Sequence, residues 1–587
     1  MTADRLRRAA PFALYAAIAA WYCAPLFTNP DALGVLDWDQ HFFYYASVIK
    51  SVAEYGQFPF WNPWYCGGNV LWQNPQIPLL SPALPLALIV SLPLAMKLTI
   101  VLHYWVGLVG MHLLVTRSLG VRDGAVAYAL SCVATLSGAM AMHLAVGHSV
   151  FLPVFYLPLQ LHCVIQAIRT GAVRHVTGAA ILLALMVWNG ALHAVPMSVA
   201  AIAVLCLAAA AAQRRWRPLL AGVLVGLLGF AFAAPKLLPV TLFVTGERFT
   251  DVRTVITHPD ATSLEMLARA YLDRYQHRGL KFDNQRSGWY EYGNYVGGVG
   301  VGAMAGGLLV AFCLPGTRER WLGLSLASTA LVFLLLSAGE FGALAPASLA
   351  RSVPLFSSFR IPSRYTFGFV LCGLAAVGWA WRATIGDGPL TRGARVMMWA
   401  VSLAAVADVA LQTRVQFLGV FTQAPLQRGF RIGGGAGTAP VVDTESNAYR
   451  SGSPMLNGLM DDRNFWRCYE SLQLARTASP TAPLVSADGA ARISDVRFSP
   501  NRIDFALVAG RDTTTLRLNQ NASPGWESSA GTPVPADGAG MAVALAPGQA
   551  GRYYFRFIPQ GLWTGLALAA TGIVGAVVAR RRTLPDR

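Results

Sequence analysis

Charge is scarce in this chain. Only 13% of its 587 residues are Asp, Glu, Lys or Arg, where a soluble globular domain carries about 25%. That shortfall excludes a soluble enzyme, a disordered chain and a coiled coil. Acids are the scarcer sign, 29 against 46 bases, and only four of the bases are Lys. Paired cysteines are missing too. The eight Cys stand singly, which excludes a zinc ribbon or a thioredoxin-type motif. Five of them (Cys132, Cys163, Cys206, Cys313 and Cys372) fall inside apolar runs, where Cys acts as a small apolar residue. No nucleotide-binding glycine loop is present. Gly297-Gly298-Val299-Gly300-Val301-Gly302 opens an apolar run and reads as helix packing.

What is abundant is apolar sequence: 55% of residues, with a mean hydropathy of +0.46. It is gathered into runs long enough to cross a bilayer. The runs are Ala9–Phe27, Leu98–Thr116, Ala125–Gly147, Ser149–Ile168, Val176–His193, Ala194–Ala212, Pro218–Val240, Asn294–Leu314, Trp321–Ala338, Tyr365–Trp381, Val396–Gln412 and Leu562–Ala579, twelve in all. The first follows Arg5, Arg7 and Arg8 and lacks an A-x-A cleavage site, so it reads as an uncleaved helix. The Pro-rich run Ile77–Ala95 reads as a re-entrant or membrane-surface segment.

The net charge of +17 invites a nucleic-acid reading, but its distribution points elsewhere. Twelve spans with an inside N-terminus leave seven short inside segments holding 19 Arg and five acids (Asp4, Asp123, Glu319, Asp387, Asp586). That is the inside-positive bias of a cytoplasmic membrane protein. It predicts both termini in the cytoplasm and no nucleic-acid partner. A thirteenth span at Ile77–Ala95 would invert the later loops. The outside then receives large loops at 28–97 and 245–293 and a region, 413–560, in which Ser, Thr, Gly, Asn and Asp rise. Alternation over Arg502–Val508, Thr514–Leu518 and Tyr553–Ile558 predicts strands, and Asn519–Trp526 and Ala536–Gly540 predict turns. The predicted organisation is a mainly α polytopic body at 1–412, an extracytoplasmic β-sandwich-like domain at 413–560, and a last helix with a basic tail at 561–587.

The spans are nearly free of ionisable groups. Lys97, Lys236, Glu340 and Asp408 lie near their ends, and His103, His112, His143 and His193 read as helix-packing residues. Polar residues gather instead in the outer loops. The first begins Asp37-Trp38-Asp39-Gln40-His41, and Phe42–Tyr55 follows with helical amphipathicity, predicting a helix flat on the membrane surface. Trp61, Trp64, Tyr65 and Trp72 suit an interfacial belt. A carboxylate at 37 or 39 is placed to take a proton from a hydroxyl or to hold a divalent metal, unless it is an exposed acidic turn. Arg360 and Arg364 run against the inside-positive bias, so they call for a negative partner; a lipid phosphate fits the guanidinium fork. Lys236 is a third candidate phosphate contact. Gly147-His148 and Trp188-Asn189-Gly190 mark outer turns. Cys66 and Cys468 both fall outside and would join the first loop to the β-rich region if they approach one another.

Together these features resemble the C-type (GT-C) membrane glycosyltransferases. Asp37-x-Asp39-Gln40, Phe58-Pro59-x-Trp61-Asn62-Pro63, Gly147-His148 and Phe359-Arg360-x-Pro362-x-Arg364 resemble the bacterial YfhO-like branch, over Leu6 to Gly561. The resemblance implies transfer of a sugar, with inversion, from a polyprenyl-phosphate donor to a glycolipid, polysaccharide or protein acceptor at the outer face of the bacterial inner membrane. It implies Asp37 or Asp39 as general base. Arg360, Arg364 and Lys236 would meet the lipid phosphate. Gln40, His41, Trp61, Asn62, His148 and Tyr290 would line the substrate cavity, with Thr245–Gly293 as a lid. The family's second acid is replaced by His148, which does not support a metal-dependent version, and no cofactor is expected. A lipid or glycan transporter would instead show inverted repeats and broken helices; neither is evident in the sequence. A non-catalytic scaffold of envelope assembly would make both Asp residues dispensable.

Overall fold

The computed structural model describes residues 3–246, 249–251, 262–280, 288–314, 319–353, 361–386, 388, 390–435, 437–447, 452–469, 472–508 and 513–584. Among these, eleven helices are long and apolar enough to cross a membrane, from Ala9–Phe27 to Leu562–Ala579. A shorter apolar helix, Val173–Trp188, stands between Ser149–Thr170 and Ala194–Gln213. Each of the twelve apolar runs is therefore a helix of the bundle. Ile77–Ala95 is not: it holds one turn of helix, Ala83–Leu86, before Leu92–Ser118 begins.

Local chemistry sets the helix ends. Asp123 accepts the N–H groups of Ala125 and Val126 and starts Gly124–Leu136. Ser91 does the same for the helix from Leu92 through the Leu94 N–H. Two spans are broken in ways the hydropathy pattern does not reveal. One breaks at Ser137 and the other between Tyr292 and Gly297. The breaks satisfy each other: the Gly138 N–H donates to the Tyr295 carbonyl (3.1 Å) and the Ala139 N–H to Asn294 Oδ1 (3.2 Å).

The β-rich region forms two four-stranded antiparallel sheets. One runs in the order Arg492–Ser499, Arg502–Val508, Gly551–Phe557, Trp526–Ser528. The other runs Val534–Ala536, Gly540–Leu545, Thr514–Leu518, Val485–Ala487. Alternate residues Ile503, Phe505 and Leu507, with Leu516, Leu518, Met541, Val543, Phe555 and Phe557, fill one shared core. The first loop completes it. Trp61 is fully buried against Trp526 (5.1 Å) and Phe557 (4.7 Å), and its Nε1 donates to Gln520 (2.8 Å). Cys66 and Cys468 form a disulfide across the same junction.

That junction corrects the reading of the first loop. The helix Trp38–Ala53 does not lie on a membrane surface, because every residue from Trp38 to Ser51 is buried within the protein. Its charged residues are paired inside: Lys50 meets Glu54 and Asp462, both at 2.9 Å. Trp61, Trp64 and Tyr65 are likewise core residues, not an interfacial belt. The loop is the filling between the helical bundle and the β-rich region.

Candidate active site

Asp37 stands at the N-terminus of the helix Trp38–Ala53, but its carboxylate does not cap that helix. Its backbone N–H donates to the Val146 carbonyl (3.0 Å), tying it to the turn after the span Gly124–Val146. Gly147 makes this approach feasible. Its φ is +106°, and a Cβ there would overlap the Trp38 nitrogen and lie 2.6 Å from the Asp37 carbonyl carbon. The next residue, His148, thus faces Asp37, with its Nε2 3.2 Å from Asp37 Oδ2. Its Nδ1 is 2.9 Å from Nδ1 of His143, so a carboxylate and two imidazoles stand in line. The Asp37 side chain remains 40% exposed, which leaves it open to a substrate. Burial pushes its carboxyl upward, but the hydrogen bond and charge of His148 outweigh this and hold it below the usual carboxylate range. It is ionised at neutral pH.

Asp39 is two residues away and differently placed. Its two oxygens accept the backbone N–H groups of Met455 and Leu456, both at 3.0 Å, at the start of the helix Pro454–Met460. It is buried, and burial raises its carboxyl to about 6 against those two bonds. Its lone pairs fasten the β-rich region to the first loop.

A second cluster adjoins the first. Glu291, in the short helix Trp289–Tyr292, is gripped by Arg364 through Nε (2.7 Å) and Nη2 (2.5 Å). Nη1 of Arg364 lies 2.9 Å from His193 Nε2, and Ser363 donates to the Glu291 carbonyl. Phe151 joins the clusters, stacking on His143 (4.0 Å) and on His193 (4.6 Å), with the Arg364 guanidinium 5.3 Å from its ring. Tyr290 borders the first cluster, 6.0 Å from the His148 ring.

The structure therefore brings together Asp37, His148, Tyr290 and Arg364 of the residues singled out from sequence. His41 lies within electrostatic reach of Asp37 and His148, while Asp39, Lys236, Gln40, Asn62 and Trp61 are engaged elsewhere. Lys236 is fully buried, and its Nζ donates to the Ile77 carbonyl, so it binds the first loop rather than a phosphate. Gln40 donates to Tyr44 and to the Tyr469 carbonyl. Asn62 shapes its own turn by accepting the Trp64 N–H, and Trp61 is spent in the β core. His41 is buried beside Tyr44, and burial lowers its imidazole to about 4, which keeps it neutral. Arg360 lies outside the described residues, as does part of Thr245–Gly293.

Arg364 has the negative partner its position demanded, but that partner is Glu291 within the chain, not a lipid. Glu291 escaped the sequence reading, His143 was read only as a helix-packing residue, and His193 was read as helix packing or as lining the cavity from an outer turn. The available signal was charge balance: an acid at the edge of a span, facing arginines that the topology leaves unexplained. Among the described residues, no three His, Cys, Asp or Glu side chains converge as a metal site would require.

No protein-family model and no curated protein matches the chain. Three solved chains do. The arabinofuranosyltransferase AftD from Mycobacteria aligns with a TM-score of 0.43 and 15% identity over 69% of this chain and 27% of that one. The oligosaccharyltransferase of Archaeoglobus fulgidus, in its apo form, aligns with a TM-score of 0.42 and 13% identity over 70% and 56%. The chain thus spans about a quarter of the first protein's length and just over half of the second's.

Proposed function

We propose that this protein transfers a glycosyl unit from a polyprenyl-phosphate donor to an envelope acceptor, a glycolipid, polysaccharide or protein, at the outer face of a bacterial inner membrane. The single observation that carries the reading is Asp37: an ionised, partly exposed carboxylate, fixed by a histidine, at the end of the bundle that bears the β-rich region. In this mechanism Asp37 accepts the proton of the acceptor hydroxyl as its oxygen attacks the anomeric carbon. The bond to the donor phosphate breaks, inverting the centre, and the polyprenyl phosphate leaves with the electron pair. His148 holds Asp37 in its ionised form and in place. Arg360 meets the departing phosphate, since Arg364 is engaged by Glu291. The sidedness rests on the arginine-rich loops and on the Cys66–Cys468 bond, which belongs to an oxidising compartment. Both termini are then cytoplasmic.

The test separates the two aspartates. A gene deletion is complemented with wild type, Asp37→Asn or Asp39→Asn, each brought to equal amounts in the membrane, and surface glycans are read by mass spectrometry. Asp37→Asn should reproduce the deletion. Asp39→Asn should keep the product in proportion to the folded protein, because its carboxylate serves a helix. Full restoration of the glycan by Asp37→Asn would end the general-base reading.

A further inference from the structure

His143 takes no part in the mechanism above, yet it is an imidazole buried inside a span. It stands in the helix Gly138–Val146 and is 1% exposed. Its ring stacks on Phe151 (4.0 Å) and on Phe367 (5.7 Å), nearly parallel to both. A phenyl ring would serve that stack as well, so packing does not account for the nitrogens. The contact with His148 does: the two Nδ1 atoms are 2.9 Å apart. The helix end builds this contact. Gly147, in the left-handed conformation, turns the chain back, and the His148 N–H donates to the His143 carbonyl (3.0 Å), which sets the second ring beside the first.

Donor and acceptor capacities fix the protons. Asp37 is ionised and can only accept, so the proton in its 3.2 Å contact sits on His148 Nε2. A neutral His148 then has a lone pair on Nδ1, and the proton between the two Nδ1 atoms comes from His143. Among the described residues, the other titratable or charged groups around this line are His41, Tyr290, Glu291, Arg364 and His193. Glu291 and Arg364 are paired with each other, Arg364 donates to His193 Nε2, and burial keeps His41 neutral.

We propose that His143 is a positioning residue for Asp37: its Nδ1–H holds the His148 ring with Nε2–H turned to the carboxylate. Without a donor at position 143, the His148 Nδ1 lone pair would stand unpaired beside Phe151, and the ring would be released to turn. Burial would then act on the Asp37 carboxyl with less opposition and drive it upward. This role rests on Asp37 being the general base.

Right-side-out membrane vesicles, carrying their own lipid donor and acceptor, are prepared from the deletion strain complemented with wild type, His143→Phe, His143→Asn or Asp37→Asn. Glycan product per folded protein is read by mass spectrometry at pH 5 and pH 7.5. His143→Phe keeps the stack and removes the donor. Its ratio of product at pH 5 to product at pH 7.5 should fall at least about 3-fold below the wild-type ratio, as the loss of a hydrogen bond to a charged group allows. His143→Asn, whose side-chain N–H groups can donate in place of Nδ1–H, should keep the wild-type ratio. A merely structural role would lower the product equally at both pH values. An unchanged ratio in His143→Phe, or the same fall in His143→Asn, overturns the proposal. Asp37→Asn separates the two readings: inactivity at both pH values upholds the general base whatever His143 does, and full activity ends both. Should His143→Phe fail to fold, wild type purified with 15N-labelled histidine rings decides. The His143 resonance, assigned by its absence from His143→Asn, should show the proton on Nδ1 at pH 7.5; a bare Nδ1 overturns the proposal.

Discussion

Glu291 and Arg364 hold each other where both side chains are under 10% exposed. Removing one partner of such a pair strands a buried charge, at a cost of about 3–5 kcal/mol. Glu291→Gln should therefore lower the Tm of the purified protein sharply. The Glu291→Gln, Arg364→Gln double variant should recover part of the loss, because no charge is left alone. Tm values that do not rank wild type, double, single would show that the pair is not the stabilising unit. His41 gives a pH signature. Its folded value is about 4 and its ordinary value 6.5, so the unfolded chain binds the proton first as pH falls. Stability is retained above about 6.5 and lost progressively from there to about 4, by up to about 3 kcal/mol. Melting curves across that window should fall more steeply for wild type than for His41→Gln. Parallel slopes would remove His41 as the cause.

At the scale of elements, the continuous apolar runs located twelve helices of the bundle among the described residues, because a span must satisfy its backbone internally and be apolar throughout. The same logic misplaced the helix Trp38–Ala53. An amphipathic stripe states that one face avoids water, but not whether lipid or protein covers it. Here the bundle covers one side and Pro454–Met460, capped by Asp39, covers another. For the candidate site, the sequence singled out Asp37 or Asp39 and His148 by their positions after spans, and the structure sets Asp37 beside His148. Glu291 was not singled out, because its role exists only once the loops carrying residues 291 and 364 meet. The Cys66–Cys468 bond closes a separation of 402 residues, and native disulfides over long loops contribute about 2–5 kcal/mol. Cys66→Ser with Cys468→Ser should lower the Tm by several degrees, and the wild type should show the same shift on reduction. An unchanged Tm in both would mean that Trp61 and Asp39 suffice to hold the junction.

For the whole molecule, the topology proposed above, in which Val173–Trp188 crosses with the eleven longer helices, puts both termini on the face opposite the β-rich region. A fluorescent protein fused after Arg587, which matures only in the cytoplasm, should therefore be bright, and a thiol-reactive polymer added to intact cells should not reach a Cys placed at Arg214→Cys. A dark fusion or a labelled Cys would reverse the orientation, and the proposed outer site with it. The burial of Trp61 in the β core also has a consequence for assembly. Residue 61 leaves the ribosome early, whereas its partners Trp526 and Phe557 belong to the end of the chain. At about 5–20 residues per second, the gap amounts to roughly 20–90 s of synthesis. For that interval a tryptophan and an unpaired thiol wait on a half-built protein. Under the proposed orientation, a chaperone or oxidase on the outer side that acts during translation has its natural target there.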